Sequence, residues 1–132
     1  MGLYNFEERF VPFILDGRKR HTIQAIRANP DKPGNTLHLY TGLRHKGARC
    51  LIRPVCTKRE DILITVSRLV RIDMEWLDEE ECELLARADG FESFCDMLEF
   101  WVKPKNRLPF SGHIIHWRLP SPRIPMRIRA QR

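Results

Sequence analysis

The apolar residues of this chain keep two different spacings, and where the spacing changes limits the folds open to it. From residue 22 to residue 72 they come in short runs rich in β-branched side chains, broken by turn residues, which is the pattern of strands. Residues 22–27 form the first expected strand and residues 36–41 the second, with Leu37 and Leu39 alternating against His38 and Tyr40. Between them Asn29-Pro30-Asp31-Lys32-Pro33-Gly34 is turn chemistry. Residues 48–57 read as a third strand, which Pro54 confines to an edge or bends at a bulge, and residues 62–72 hold one or two more. From Leu77 the period is helical. An acidic helix runs to about Ala88 with Leu84, Leu85 and Ala88 on its apolar side, and Asp89-Gly90 stops it. Ser93 caps a further helix with an apolar stripe of Phe94, Met97, Leu98 and Trp101, ended by Pro104. Residues 108–119 return to strand character.

Ahead of the strands, Phe6, Phe10, Phe13 and Ile14 recur at helical spacing, with Asn5 as a cap and Gly17 as the stop. Pro12 fits if the regular helix starts late, near Glu8 or Arg9, or bends there. The order is helix, several strands, two helices, then a closing strand that must return to pair with early ones. It suits an α+β fold, a small mostly antiparallel β-barrel with flanking helices. Residues 1–119 form one domain, and residues 120–132, with three prolines and four arginines, read as an extended or disordered basic tail. Trp76, Trp101 and Trp117 each lie in or beside a hydrophobic stretch and are expected in the core.

Net charge is +6, and its distribution is more telling than its sum. Asp31 is the only acid between Gly17 and Arg59, no acid follows Glu99, and the acids crowd between Asp73 and Glu99. A basic body with one acidic segment suits a polyanion partner, RNA or a nucleotide, because localised cations release counterions from a phosphate chain. Solubility alone is the plainer explanation. The acidic helices offer a second surface, for a protein partner. No apolar run approaches the ~20 residues that span a bilayer and no signal-peptide pattern stands at the N-terminus, so a cytoplasmic protein without a membrane partner is expected. The four cysteines, Cys50, Cys56, Cys82 and Cys95, show no C-x-x-C spacing and read as buried small hydrophobes. Together with His113 and His116 they lack a zinc pattern, so the histidines read as structural and neither metal nor cofactor is expected.

Charge meets a turn at Arg18, Lys19, Arg20 and His21, which follow Gly17 directly and precede Thr22. Cations are favoured at the C-terminal end of a helix, and such a bend suits grasping an anion. Like-charged neighbours and burial both lower a lysine pKa, so Lys19 can act as a base, or bind an oxyanion while protonated. Thr22 lies three positions on and would point to the opposite face of an extended chain, so the two meet only if the chain turns between them. The plainer alternative is a solvated basic turn beside a packed threonine. Tyr40, Arg44, His45 and Lys46 form a second patch, suited to stacking a base while holding its phosphate, or else an ordinary exposed loop.

Several of these residues resemble the ASCH domain family of the PUA-like superfamily. The matching features are the phenylalanine-rich first helix, Gly17-x-Lys19-x-x-Thr22-Ile23, the run Lys32-Pro33-Gly34-Asn35-Thr36-Leu37-His38-Leu39-Tyr40-Thr41-Gly42, the junction Asp89-Gly90-Phe91-Glu92-Ser93, and Pro109-Phe110-Ser111-Gly112-His113-Ile114-Ile115-His116-Trp117. The resemblance implies a PUA-like β-barrel with a cleft between barrel and helices, suited to RNA or a modified nucleoside. Some members are similar to amidohydrolases that remove an acetyl group from a cytidine derivative with a lysine, a threonine and a glutamate. Others are described as RNA-cleaving, or as RNA-binding modules attached to transcription coactivators. By motif position the lysine falls on Lys19, the threonine on Thr22 and the acid on Asp89, an aspartate where the family has glutamate. Gln24 stands where many members carry arginine, and Arg27 can supply a guanidinium nearby. The resulting expectation is a nucleic-acid-binding protein, for RNA in particular, with contacts from Arg18, Lys19, Arg20, Arg27, Tyr40, Arg44 and Lys46. The alternative is a hydrolase acting on an acylated nucleoside or on RNA through Lys19, Thr22 and Asp89.

Overall fold

The computed structural model describes residues 2–43, 46–102 and 108–119, and its strands fall into two sheets. Strands β1 (Gly2–Phe6), β3 (Leu37–Thr41) and β4 (Arg49–Ile52) form the smaller sheet in the order β1-β3-β4. Strands β2 (His21–Ala25), β5 (Val55–Ile64), β6 (Val70–Ile72), β7 (Glu75–Trp76) and β8 (Phe110–Arg118) form the larger one in the order β2-β8-β5-β6-β7. A 3-10 turn at Glu8–Phe10 leads into helix α1 (Val11–Leu15), and helices α2 (Glu79–Ala88) and α3 (Phe94–Val102) lie between β7 and β8 in the chain. The fold is therefore α+β. Its described ladders are antiparallel except β1 with β3, and β8 returns to pair with β2 and β5 as its sequence position requires.

The two sheets meet at one corner, where a bridge joins Thr36 to Val55. Their inner faces share a core in which the Phe6 ring meets Trp117 edge-on at 6.3 Å. At the opposite side β1 and β2 are both edge strands, and no ladder joins them. The expected closed barrel is thus not found among the described residues. Side chains from β1 and β2 line a cavity at this seam instead of hydrogen-bonding across it.

Local departures from the sequence expectation have simple causes. Residues 2–6 are a strand, not the start of a helix: Gly2, Tyr4 and Phe6 are buried while Leu3 and Asn5 are exposed, a period of two hidden beneath the phenylalanine spacing. Pro12 sits in the first turn of α1, where its missing N–H costs nothing. The strand expected at 48–57 is cut at Pro54 into β4 and β5, which belong to different sheets. Helix α2 buries Cys82 and Ala86, four apart, packs Leu85 against the core partly buried, and leaves Ala88 exposed and Leu84 59% exposed. Trp117 is buried and Trp101 partly so, but Trp76 on the short edge strand β7 is 53% exposed. Cys56 and Cys82 are buried, whereas Cys50 and Cys95 are exposed. Pro104, the basic tail 120–132, Arg44 and His45 lie outside the described residues. No helix among those described is long and apolar enough to cross a membrane.

Gly112 on β8 pairs with Ala25 on β2, and a Cβ there would run into the Gln24 carbonyl oxygen and the Phe110 ring. Gly112→Ala should therefore destabilise the fold by about 2 kcal/mol in urea denaturation, the usual scale of overpacking. A variant as stable as the parent would contradict this close approach.

Candidate functional site

Helix α1 ends at Asp16 and Gly17, whose φ of +85° turns the chain out of the helix. The basic run that follows divides by side. Arg18 is exposed and folds back on Asp16, its Nε donating to Oδ2 at 2.7 Å, while Arg20 donates from Nε to the Gly17 carbonyl at 2.7 Å. Lys19 and His21 point inward and are buried. The Lys19 backbone N–H still reaches the Phe13 carbonyl at 2.9 Å, so the bend stays tied to the helix that delivers it.

The second half of the site comes from the end of α2. Asp78 and Glu81 form a capping box at its start, and its first turn carries Glu79, Glu80 and Glu81. At its end Gly90 donates to the Arg87 carbonyl and Phe91 to the Ala86 carbonyl, the paired bonds of a Schellman motif. Gly90 has φ +101°, and a Cβ there would lie 2.8 Å from the Phe10 ring. This turn leaves Asp89 facing inward. Lys19 Nζ donates to both the Asp89 carbonyl oxygen and its Oδ1, each at 2.6 Å, with both side chains 3% exposed. Lys19 is therefore at once a counter-ion and a cap for α2. Its ammonium also lies 5.2 Å from the centre of the Phe10 ring and 5.7 Å from that of Phe6.

A cavity of about 500 Å³ opens at the β1–β2 seam, and Lys19, Thr22 and Asp89 all line it, with Gln24 and Arg27. Phe6, Phe10, Phe91, Phe100 and Trp101 add aromatic walls. Thr22 is buried, and its hydroxyl accepts from Gln24 Nε2 at 2.9 Å. Arg27 donates to Gln24 Oε1 and, across the seam, to the Leu3 carbonyl, each at 3.4 Å, with its guanidinium over the Tyr4 ring at 4.3 Å. Two polar chains thus meet at one cavity, Lys19–Asp89 and Thr22–Gln24–Arg27, and among the described residues no hydrogen bond joins Lys19 to Thr22.

Behind the carboxylate stands His21, whose Nε2 is 3.2 Å from Asp89 Oδ1 but off the hydrogen-bonding line, and it has no hydrogen-bond partner among the described residues. Its ring centre is 5.4 Å from that of His116, which pairs with it across β2 and β8 and contacts Glu60 at 2.7 Å. Burial holds His116 below the ordinary histidine value, and the Glu60 contact opposes it. Burial likewise pulls Lys19 below the ordinary lysine value, with Asp89 acting against the shift. Lys19 thus holds its proton less tightly than a free lysine does, although the adjacent carboxylate favours its charged form.

The remaining expected residues scatter. Arg18 lines a second cavity beyond Lys19, and Arg20 is exposed. Tyr40 is half-buried on β3 and Lys46 exposed in the following loop, and neither lines the seam cavity; Arg44 lies outside the described residues. Sequence reasoning passed over His21 as a functional partner, and treated Gln24 only as a departure from a motif. Gln24 was accessible to it, because a period of two from Thr22 places both on one face. Asp31, which the sequence places in a turn, is buried and accepts from the Tyr4 hydroxyl at 2.7 Å; burial, and then this bond, hold that phenol above its ordinary value.

Comparison with protein-family models, with curated proteins and with solved structures finds no match.

Because the unfolded chain holds the Lys19 proton more tightly than the folded one, this group's contribution to stability rises with pH through the window between its depressed value and 10.5. Asp89→Ala should cost about 3 kcal/mol at neutral pH by leaving a buried ammonium unpaired. The cost should shrink as pH rises, since a neutral amine needs no counter-ion. Urea denaturation of both proteins at several pH values measures this, and a cost independent of pH would contradict it.

Proposed function

We propose that this chain is an ASCH-type domain, a PUA-like barrel left open at one seam, which binds RNA by taking a single nucleotide unit into the seam cavity. The observation that carries this reading is the convergence of Lys19, Thr22, Gln24, Arg27 and Asp89 with five aromatic side chains on one cavity. Its volume of about 500 Å³ lies within the range of small-ligand sites. Flat rings with a few fixed donors and acceptors are what a splayed base requires: a face to stack on and groups for its hydrogen-bonding edge. Arg18 and Arg20, held on the outer side of the same bend, can offset neighbouring phosphates. The bridge at Thr36–Val55 and the core shared by the sheets support a barrel-like arrangement, with the seam as its mouth.

A second reading, hydrolysis of an acylated nucleoside, draws on the buried lysine and the threonine hydroxyl at the same cavity. Thr22 Oγ1 would attack the acyl carbon while neutral Lys19 takes its proton and passes it to the departing amine; water then releases the acid from the threonine ester. Lys19 is committed to Asp89 and not bonded to Thr22, so substrate would have to bring the two into line. That is why binding is the leading reading.

Fluorescence anisotropy with single-stranded RNA should show binding at low salt that weakens steeply as salt rises. Trp101→Ala should lower the affinity about tenfold, the scale of one stacked base. No binding at low salt would overturn the proposal. For the second reading, turnover of acetylated cytidine should be lost in Thr22→Val, and turnover that persists there would exclude it.

A further inference from the structure

A second cavity, of about 510 Å³, shares Lys19 and Phe91 with the seam cavity, so these two side chains form a common wall. Three arginines from three separate elements reach it: Arg9 from the 3-10 turn, Arg18 from the bend after α1, and Arg87 from the last turn of α2. Two of the guanidinium groups are held by aromatic faces. Arg9 lies 4.9 Å from the ring centres of both Phe10 and Phe91, and Arg18 lies 4.3 Å from that of Phe13. Stacking of this kind fixes the plane of a guanidinium, the fork that matches phosphate oxygens in pairs.

The acids nearby offset part of this charge. Glu92 and Asp96 also line the cavity, but Asp96 is engaged by Arg9 at 3.1 Å and by the Glu92 backbone N–H at 3.1 Å. Arg18 is paired with Asp16 through exposed groups, a contact that an arriving dianion can replace at little cost. Arg87 makes no ion pair among the described residues. The carbonyl end of α2 would repel an anion here, yet the Asp89 carbonyl at that end is capped by the Lys19 ammonium.

We propose that this arginine-lined cavity is a phosphate subsite, which takes the phosphate attached to the nucleoside unit held in the adjoining seam. The ligand class is thereby narrowed to nucleotides and nucleic-acid strands, as against free nucleosides. The assignment of the neighbouring nucleoside rests on the proposed function, whereas the phosphate site itself rests only on the arginines.

The test uses the full chain and titrations of inorganic phosphate, of nucleosides, and of their 3′- and 5′-monophosphates, followed by the arginine Nε–H signals and by calorimetry. Phosphate should shift the Arg87 and Arg18 signals, and a monophosphate should bind at least tenfold more tightly than its nucleoside. Arg87→Gln should abolish that preference while leaving nucleoside affinity unchanged. Arg53→Gln removes the same charge from an exposed position that lines neither cavity, and it should retain the preference. Equal affinity for nucleoside and monophosphate, or equal losses in Arg87→Gln and Arg53→Gln, would overturn the subsite and leave seam binding standing. Phosphate binding that needs Arg87, with no nucleoside or RNA binding at all, would uphold the subsite and defeat the seam reading.

Discussion

The contact between Lys19 and Asp89 ties together two segments seventy residues apart in the chain. One partner comes from the bend after α1, the other from the Schellman turn after α2, and both are almost fully withdrawn from water. Burying an ion pair costs several kcal/mol per charge before attraction repays it, so the pair is poor evidence of extra stability. Its effect is geometric. An unpaired ammonium in this position is so unfavourable that the bend has one acceptable placement against the helix end, and the cavity takes its shape from that placement.

The open seam follows from how the sheets are joined. β1 takes β3 as its partner and β2 takes β8, which leaves two edges facing across a gap. Exposed edges invite pairing with other chains, and covering them is a common protection. Here Arg27 spans the gap to the Leu3 carbonyl, and Phe6, Phe10 and Trp101 crowd around it. A polar, aromatic-walled cavity is the kind of place where a small planar ligand can replace water at little structural cost.

Much of this was legible in the residues, for identifiable reasons. The change of spacing at Leu77 separated strands from helices because the two periods bury different sets of positions, and the pairing of β8 with earlier strands follows from chain order. Motif position singles out Lys19, Thr22 and Asp89, and the fold places all three along one cavity. What was not legible depended on distance in the chain. Nothing local says that Arg9, Arg18 and Arg87 reach one cavity, or that Pro54 moves the chain from one sheet to another. The inward turn of His21 and Lys19 between outward Arg18 and Arg20 was masked by four basic or titratable residues in a row, whose sides only packing decides. Trp76 misled because a large aromatic beside an apolar run is usually core, and here the run ends on an edge strand.

The most direct measurement is a chemical-shift map of the isotope-labelled protein during titration with a short single-stranded RNA. If the seam holds a nucleotide unit, the largest changes fall on Thr22, Gln24, Phe91 and the Trp101 indole, around the cavity. Changes confined to the Lys46 loop, β4 or the acidic face of α2, with those four signals unmoved, would contradict it.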